Sequence, residues 1–479
     1  MKILLINSSP FRRAEHFSVS EDVEAYFRVL ERRGVKLGDQ RHEANNGLLS
    51  IAGTLRSNGK EVRYLDLNVE ENRKFIHSRM FFSDREIFDL IDRNIEGIDV
   101  VLISSLTISF PIMKKVGEYI KFKHPGMPII MGGIYATLNP DEFVKLHDCY
   151  DVVVLGEGED VIVELVDILT GVSQTDLSTI KGIVWRDKRT GKNILNPGQN
   201  FVKDLNTLPF PAYDLMEGED VVYRVFTARG CPYECTFCAP AYMSGYKLRR
   251  IRPGRVMEQL KLLKTEYKVT EFVVGDLTFL GDSAHSKEIL RLMIDQRVNV
   301  PFWCQSRFDC LDTEGIELLR TAGCCQIALG VESFNQSILE AVRKGIYVNE
   351  ITEKLMMLKQ SGIEVQCYFI IGLPGETKDT VQNTVEFMSY ALVEGLIHKP
   401  HIGVYVPFPG LPVPDEVTIV GEGYDSYTSG VFLDLPPRPA ARTESLSEQE
   451  AFELWKHALV AAGKELSKHS ETVVRVLRD

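Results

Sequence analysis

Apolar and polar positions alternate in two series along the chain, joined by a proline-rich connector. In the first series, strand-like runs occur at 2–6, 61–67, 100–104, 128–131 and 152–155, with helix-like amphipathic stretches at 47–57, 83–95 and about 111–122. Ser83 has the residue type of an N-cap. Val/Ile/Leu runs separated by helices suit parallel strands covered on both faces. The first ~170 residues (1–170) are therefore expected to form a doubly wound α/β domain, with ligands beyond the carboxyl ends of its strands.

Residues 171–220 break this rhythm: the runs 182–186 and 193–195 flank Thr190-Gly191 and predict a hairpin, and the prolines within 205–213 predict an extended linker. A second series starts at 221. Strand-like runs lie at 221–227, 271–274, 302–307, 326–331, 365–371 and 401–406, with helix-like stretches near 254–267, 285–296, 313–322, 350–361 and 378–395. Six βα units over 221–412 fit a partial parallel barrel better than a second open sheet, although periodicity alone leaves both open. In either, chemistry belongs at the carboxyl ends of the strands. A C-terminal segment, 413–479, holds an irregular Pro/Gly stretch and one amphipathic helix over about 447–477.

The composition is that of an ordinary soluble protein, 44% hydrophobic and 25% charged. A formal net charge of −12 argues against a general nucleic-acid binder. The dense basic stretch Lys247–Arg255 reads as a solvated loop with some anion contacts. The chain has no apolar run of about 18 residues and no signal-peptide pattern, so no membrane association and a cytoplasmic location are expected. Nine cysteines at irregular spacing do not form a secreted disulfide framework. In a reducing compartment, clustered cysteines point to metal or redox chemistry.

Cys231, Cys235 and Cys238 lie on the loop after the first strand of the second series, in Ala-Arg-Gly-Cys231-Pro-Tyr-Glu-Cys235-Thr-Phe-Cys238. A zinc site takes four ligands, often as two pairs, and no second pair at suitable spacing is present. Cubane iron–sulfur clusters in ferredoxins also take four cysteines, so three would leave one iron open to a small molecule. A zinc site completed by a distant ligand is the competing reading. The CxxxCxxC spacing, with Phe237 before the third cysteine, resembles the signature of the radical S-adenosylmethionine superfamily. That resemblance implies a 4Fe-4S cluster whose open iron chelates S-adenosylmethionine, reductive cleavage to a 5′-deoxyadenosyl radical, and an external one-electron donor such as flavodoxin or ferredoxin.

The same resemblance places S-adenosylmethionine contacts at the ends of the later strands: Asp276, Gln305 and Arg307, Glu332, and the glycine-rich Gly372–Glu376. Gln305 and Arg307 share a face by period two. Tyr368 is the candidate catalytic residue, facing the substrate, against the plainer role of core packing. Cys304, Cys310, Cys324, Cys325 and Cys367 are expected to be inert.

Three strands of the first series are followed by small and polar residues: Ser104, Ser105, Leu106 and Thr107; Gly132, Gly133 and Tyr135; Gly156, Glu157 and Gly158. This resembles the cobalamin-binding domain of cobalamin-dependent radical S-adenosylmethionine enzymes, where small residues let a nucleotide tail lie against the backbone. The chain departs from many cobalamin proteins in lacking an Asp-x-His-x-x-Gly motif, so the lower face of cobalt has no assigned ligand. Residues 9–46 form a long charged excursion, expected to be either a substrate lid or a solvated insertion.

The whole then implies a Rossmann-like cobalamin domain followed by a radical barrel, with the 4Fe-4S cluster, S-adenosylmethionine and cobalamin as cofactors. The expected activity is methyl transfer to an unactivated carbon of a small natural-product or metabolite intermediate. Cyclisation, ring contraction or oxidation with the same cofactors is the alternative. A non-catalytic cobalamin or redox-sensing module is the reading from another class.

Overall fold

A computed structural model describes residues 1–8, 42–43, 45–78, 82–146, 149–187, 189–216, 221–420 and 441–476. The excursion expected to form a lid lies, up to residue 41, outside the described residues. The described chain forms two compact units that meet in sequence at Val221 and Val222.

In the first unit, β1 (Lys2–Asn7), β2 (Glu61–Asp66), β3 (Val100–Ser104), β4 (Ile129–Gly132) and β5 (Val152–Val154) are parallel in the order β2-β1-β3-β4-β5. The order reverses between β1 and β3, which is where a doubly wound sheet opens a crevice for a ligand. Helices α1 (Asn46–Ser57), α2 (Leu67–Ser78), α3 (Asp84–Ile95), α4 (Phe110–Lys123), α5 (Ile134–Leu138), α6 (Pro140–Leu146) and α7 (Ile162–Leu169) connect and follow these strands. Their local causes are visible in the sequence. Ile87, Leu90, Ile91 and Ile95 recur at helical spacing and are the buried residues of α3. Ser83 and Glu86 start that helix with a reciprocal capping box, each side chain bonding the other's backbone N–H. One face of the sheet (Ile3, Leu5, Val100, Leu102, Ile130, Val152) packs with Leu48, Ala52 and Leu55 of α1 and Leu165 and Val166 of α7. Burial of each such side chain contributes roughly 1.5–3 kcal/mol.

The hairpin expected in the connector belongs to this sheet instead. Strands β6 (Ile183–Arg186) and β7 (Asn193–Asn196) continue it antiparallel, with Val152 opposite Trp185 and Val154 opposite Ile183. Without β6, the edge of β5 would carry unpaired backbone groups. Ile183, Val184 and Trp185 are buried there, and Trp185 Nε1 donates to Asn196 Oδ1 at 3.0 Å.

The second unit carries six parallel strands that neighbour one another in chain order: β8 (Val221–Val225), β9 (Phe272–Val274), β10 (Phe302–Ser306), β11 (Cys324–Glu332), β12 (Glu364–Ile371) and β13 (Lys399–Val404). This sheet curls into a half-barrel. Helices α8 (Ala239–Met243), α9 (Pro253–Thr265), α10 (Ser283–Asp295), α11 (Thr313–Ala322), α12 (Gln336–Ala341), α13 (Val348–Ser361) and α14 (Lys378–Val393) lie in the crossovers. Along β12, Val365, Cys367, Phe369 and Ile371 are buried and alternate with the half-buried Gln366, Tyr368 and Ile370. The period of two thus separates an apolar face from one able to present polar groups.

The last helix, α15 (Glu448–Val476), is part of this unit rather than a separate segment. Its Trp455 Nε1 donates to Ile402 O at 2.8 Å, and Glu450 pairs with Lys378 at 2.7 Å. The basic stretch is also folded in part: Arg249 and Arg250 pair antiparallel with Ala228 and Arg229, the residues that lead into the cysteine loop.

Candidate functional site

The three cysteines occupy the loop between β8 and α8, with Cys231 and Cys235 buried and Cys238 half-buried. Gly230 turns the chain into this loop at φ +96°, and a Cβ there would stand 1.9 Å from Lys247 O. Only glycine tolerates both conditions. The loop is fixed at three points. Cys231 N donates to Ser244 Oγ at 3.3 Å, Thr236 N to Val342 O at 3.1 Å, and Cys238 N to Cys235 O at 3.1 Å.

Burial pushes the thiols of Cys231 and Cys238 up, the latter to about 11. Two cations oppose this: Arg307 and Lys344 pull Cys231 down, and Lys344 pulls Cys238 down. Arg307 Nη1 donates to Cys235 Sγ at 3.5 Å. Its guanidinium also lies 3.7 Å from the Tyr233 ring centroid and pairs with Asp309 at 2.9 Å. Three thiols on one loop, with two buried cations turned toward them, suit an anionic thiolate-bound cluster. Among the described residues, no three His, Cys, Asp or Glu side chains are drawn to a single point.

The other expected contacts of the second unit fall into two groups. Arg307 and Phe237 come to the cysteine loop, where the Phe237 ring packs against Ile338, Val342, Leu373, Tyr405 and Val417. Asp276 and Glu332 are engaged elsewhere. The Asp276 carboxylate accepts from Thr227 N at 2.7 Å, Ala228 N at 3.2 Å and the Thr227 hydroxyl, so it braces the chain entering the loop. Burial pushes its carboxyl up to about 7 against these bonds. Glu332 accepts from Lys344 Nζ at 2.6 Å. Gln305 is half-buried on β10. Gly372, at φ +85°, donates its N–H to Glu376 Oε2 at 2.7 Å. Glu376 also accepts from Leu373 N at 3.2 Å and Ser333 Oγ at 3.0 Å, which shapes the glycine-rich turn. Tyr368 meets His401 edge to face, with ring centroids 5.2 Å apart. Burial raises the phenol and lowers the imidazole, so both are neutral near pH 7.

In the first unit, the expected residues gather at the carboxyl ends of β3, β4 and β5. Ser104 lies opposite Gly132 in the ladder. Gly133 follows at φ +102°, where a Cβ would stand 2.6 Å from Ser105 O and 2.8 Å from Ser105 N. Thr137 Oγ1 donates to Gly133 O at 2.9 Å and accepts from Gly156 N at 2.9 Å, so it ties the second strand end to the third. A Cβ on Gly132 would meet nothing nearer than Val154 O at 4.0 Å, leaving open space against half-buried backbone. Such a bare backbone ledge suits the close approach of a bulky cofactor tail.

Not every expected residue faces that ledge. Ser105 is buried in a hydroxyl chain in which Ser109 Oγ donates to Ser8 Oγ at 2.8 Å. Thr107 is buried and Leu106 half-buried. The Tyr135 ring lies in the core, stacked on Phe110 with centroids 4.3 Å apart. Glu157 accepts from Val202 N at 2.7 Å and anchors the chain after the hairpin. The Cβ position of Gly158 is 3.0 Å from Ile51 Cδ1.

Sequence reasoning did not single out Lys344, Thr227 or Tyr233. Lys344 lies three residues past α12, outside any periodic pattern, and only the fold brings it to the loop.

Comparison with known proteins agrees with this geometry. The B12 binding domain family matches residues 41–166, and the Radical SAM superfamily matches residues 225–388. The chain is 28% identical over 318 residues to an uncharacterized methyltransferase of Pyrococcus horikoshii, covering 65% of this chain and 68% of that one. It is 27% identical over 301 residues to the anaerobic magnesium-protoporphyrin IX monomethyl ester cyclase of Rubrivivax gelatinosus, covering 60% of this chain and 53%, about half, of the cyclase. The radical S-adenosylmethionine methyltransferase TsrM of Kitasatospora setae, solved with cobalamin and a 4Fe-4S cluster bound, shares the fold. Its TM-score is 0.64 at 17% identity, covering 87% of this chain and 77% of TsrM. With a B12 domain and a radical domain in sequence, and a three-thiol loop in the second, the chain belongs to the cobalamin-dependent radical S-adenosylmethionine enzymes.

Proposed function

We propose that this enzyme transfers a methyl group to a carbon of a small molecule, with Cys231, Cys235 and Cys238 holding the 4Fe-4S cluster. The observation that carries the reading is one chain bearing both the cation-backed thiol loop and the bare glycine ledge at the carboxyl end of β4 in a doubly wound sheet. When bound, the cluster with S-adenosylmethionine supplies radical chemistry, and cobalamin supplies a methyl carrier. The protein's own groups hold and orient. Arg307 steadies the cysteine loop, and Glu376 shapes the turn at Gly372. Tyr368 and His401, half-buried on the partly open strand face, offer a substrate neutral hydrogen-bonding groups. The methyltransferases among its relatives support methyl transfer.

An external one-electron carrier of the flavodoxin or ferredoxin kind fits a cluster that must be reduced. Nine unbridged cysteines suit a reducing cytoplasm. No described helix is long and apolar enough to cross a membrane.

The cyclase relative favours a second reading, in which the same cofactors form a ring or oxidise the substrate. Reconstituted enzyme supplied with methyl-labelled S-adenosylmethionine separates the two. Label in the product supports methyl transfer, and deoxyadenosine with an unlabelled product supports the alternative. Absence of any deoxyadenosine under reduction would favour a binding module.

A further inference from the structure

Lys344 and Glu332 form an ion pair at 2.6 Å with each side chain only 7% exposed. The fold makes unusual local arrangements for it. Glu332, which ends β11, has a left-handed backbone at φ +64° although it is not glycine, and the ladder to β12 shifts register between Gly330 and Glu332. Gly330 leaves room for the pair: a Cβ there would meet the Glu332 carboxylate and the Lys344 ammonium, and these side-chain ends would have to shift. A buried pair of this kind is a weak source of stability, and strained backbone tends to mark function.

The ammonium is also directed. Its Nζ lies 5.9 Å from the centroid of Phe237, the residue before the third cysteine. The segment that carries it is stitched to the cysteine loop. Arg307 Nη2 donates to Lys344 O, and Thr236 N donates to Val342 O at 3.1 Å. Arg307 supplies one positive charge directly to Cys235, and Lys344 stands as the second, tethered through Glu332.

We propose that Lys344 is a positioning residue whose charge, metered by Glu332, sets the reduction potential of the cluster held by Cys231, Cys235 and Cys238. The proposal rests on the assignment of that cluster. A nearby positive charge favours the added electron and a nearby negative charge opposes it. The two members of the pair therefore have opposite signatures, which a merely structural pair would not give.

The test is a spectroelectrochemical titration of the anaerobically reconstituted full-length protein, with iron counted per chain. Lys344→Met should lower the midpoint potential, Glu332→Gln should raise it, and Lys344→Arg should leave it near the wild-type value. Midpoints that do not move, or that move in the same direction in Lys344→Met and Glu332→Gln at full iron content, would overturn the proposal while leaving the cluster assignment intact. If Lys344→Met takes up no iron, the rise in Glu332→Gln and the constancy of Lys344→Arg decide. A wild-type protein that binds no iron would refute the cluster assignment itself.

Discussion

Two buried carboxyl groups, Asp276 and Glu376, lie just past the ends of β9 and β12, each pushed up to about 7 by burial and held by backbone N–H donors. Their position at strand ends was legible in the sequence, but their partners were not. Asp276 turns back to brace Thr227 and Ala228, an interaction across 49 positions that no local pattern announces. The consequence for stability has a definite sign. An ordinary aspartate ionises near 3.9, so between about pH 4 and pH 7 the folded chain keeps a proton that the unfolded chain releases. Stability contributed at this site is therefore present below pH 4, falls as pH rises to 7, and is flat above. Asp276→Asn retains an oxygen for the Thr227 and Ala228 N–H groups without the buried charge. Urea unfolding should find its advantage over wild type larger at pH 8 than at pH 5, by up to about 3 kcal/mol. The same difference from wild type at both pH values would show that ionised Asp276 is fully compensated. Asp276→Ala should instead destabilise by roughly 1–3 kcal/mol for each donor left unpaired.

At the scale of elements, the long parallel strands and the longer amphipathic helices were legible because a continuous apolar run or a 3.6-residue stripe needs no tertiary information. The five-residue α5 and the seven-residue α6 were not, because each spans too few turns to show a period. The start of α5 depends on Gly133, whose φ of +102° no other residue type adopts cheaply. Gly133→Ala should drive a methyl group into Ser105 backbone and displace the β4 strand end. The expected result is at least tenfold weaker cobalamin binding by optical titration, with the iron content unchanged. Equal binding would show that this turn does not border the cofactor. The capping box on α3 gives a milder, pH-dependent effect. Hydrogen bonds from Lys74 and from Ser83 hold the Glu86 carboxyl down at about 2. Its stabilisation is thus complete above about pH 4.5 and lost as pH falls toward 2. Glu86 is 42% exposed, so solvent screening keeps that part small. Ser83→Ala should cost about 1 kcal/mol in thermal unfolding at pH 7, and a change within error would mean that the helix end frays in solution.

The whole molecule was legible as two α/β series with a cysteine loop, but the ownership of the hairpin and the last helix was not. Both attach through non-local pairing, β6 onto β5 and Trp455 onto Ile402, which sequence adjacency disguises. What the units show, each taken by itself, is a division of labour. The strand ends proposed for cobalamin lie within 104–158 of the first unit, and the thiols with Arg307 and Lys344 lie within the second. Each site is held by bonds internal to its own unit, such as Thr137 to Gly156 in one and Thr236 to Val342 in the other. Loss of one cofactor should therefore leave the other bound. Replacing Cys231, Cys235 and Cys238 together by Ala removes only thiols whose neighbouring backbone bonds survive. That variant should lose all cluster iron and all deoxyadenosine formation, yet retain the optical bands of bound cobalamin at wild-type stoichiometry. If cobalamin is lost as well while the circular dichroism spectrum is unchanged, the glycine ledge is not a self-sufficient site.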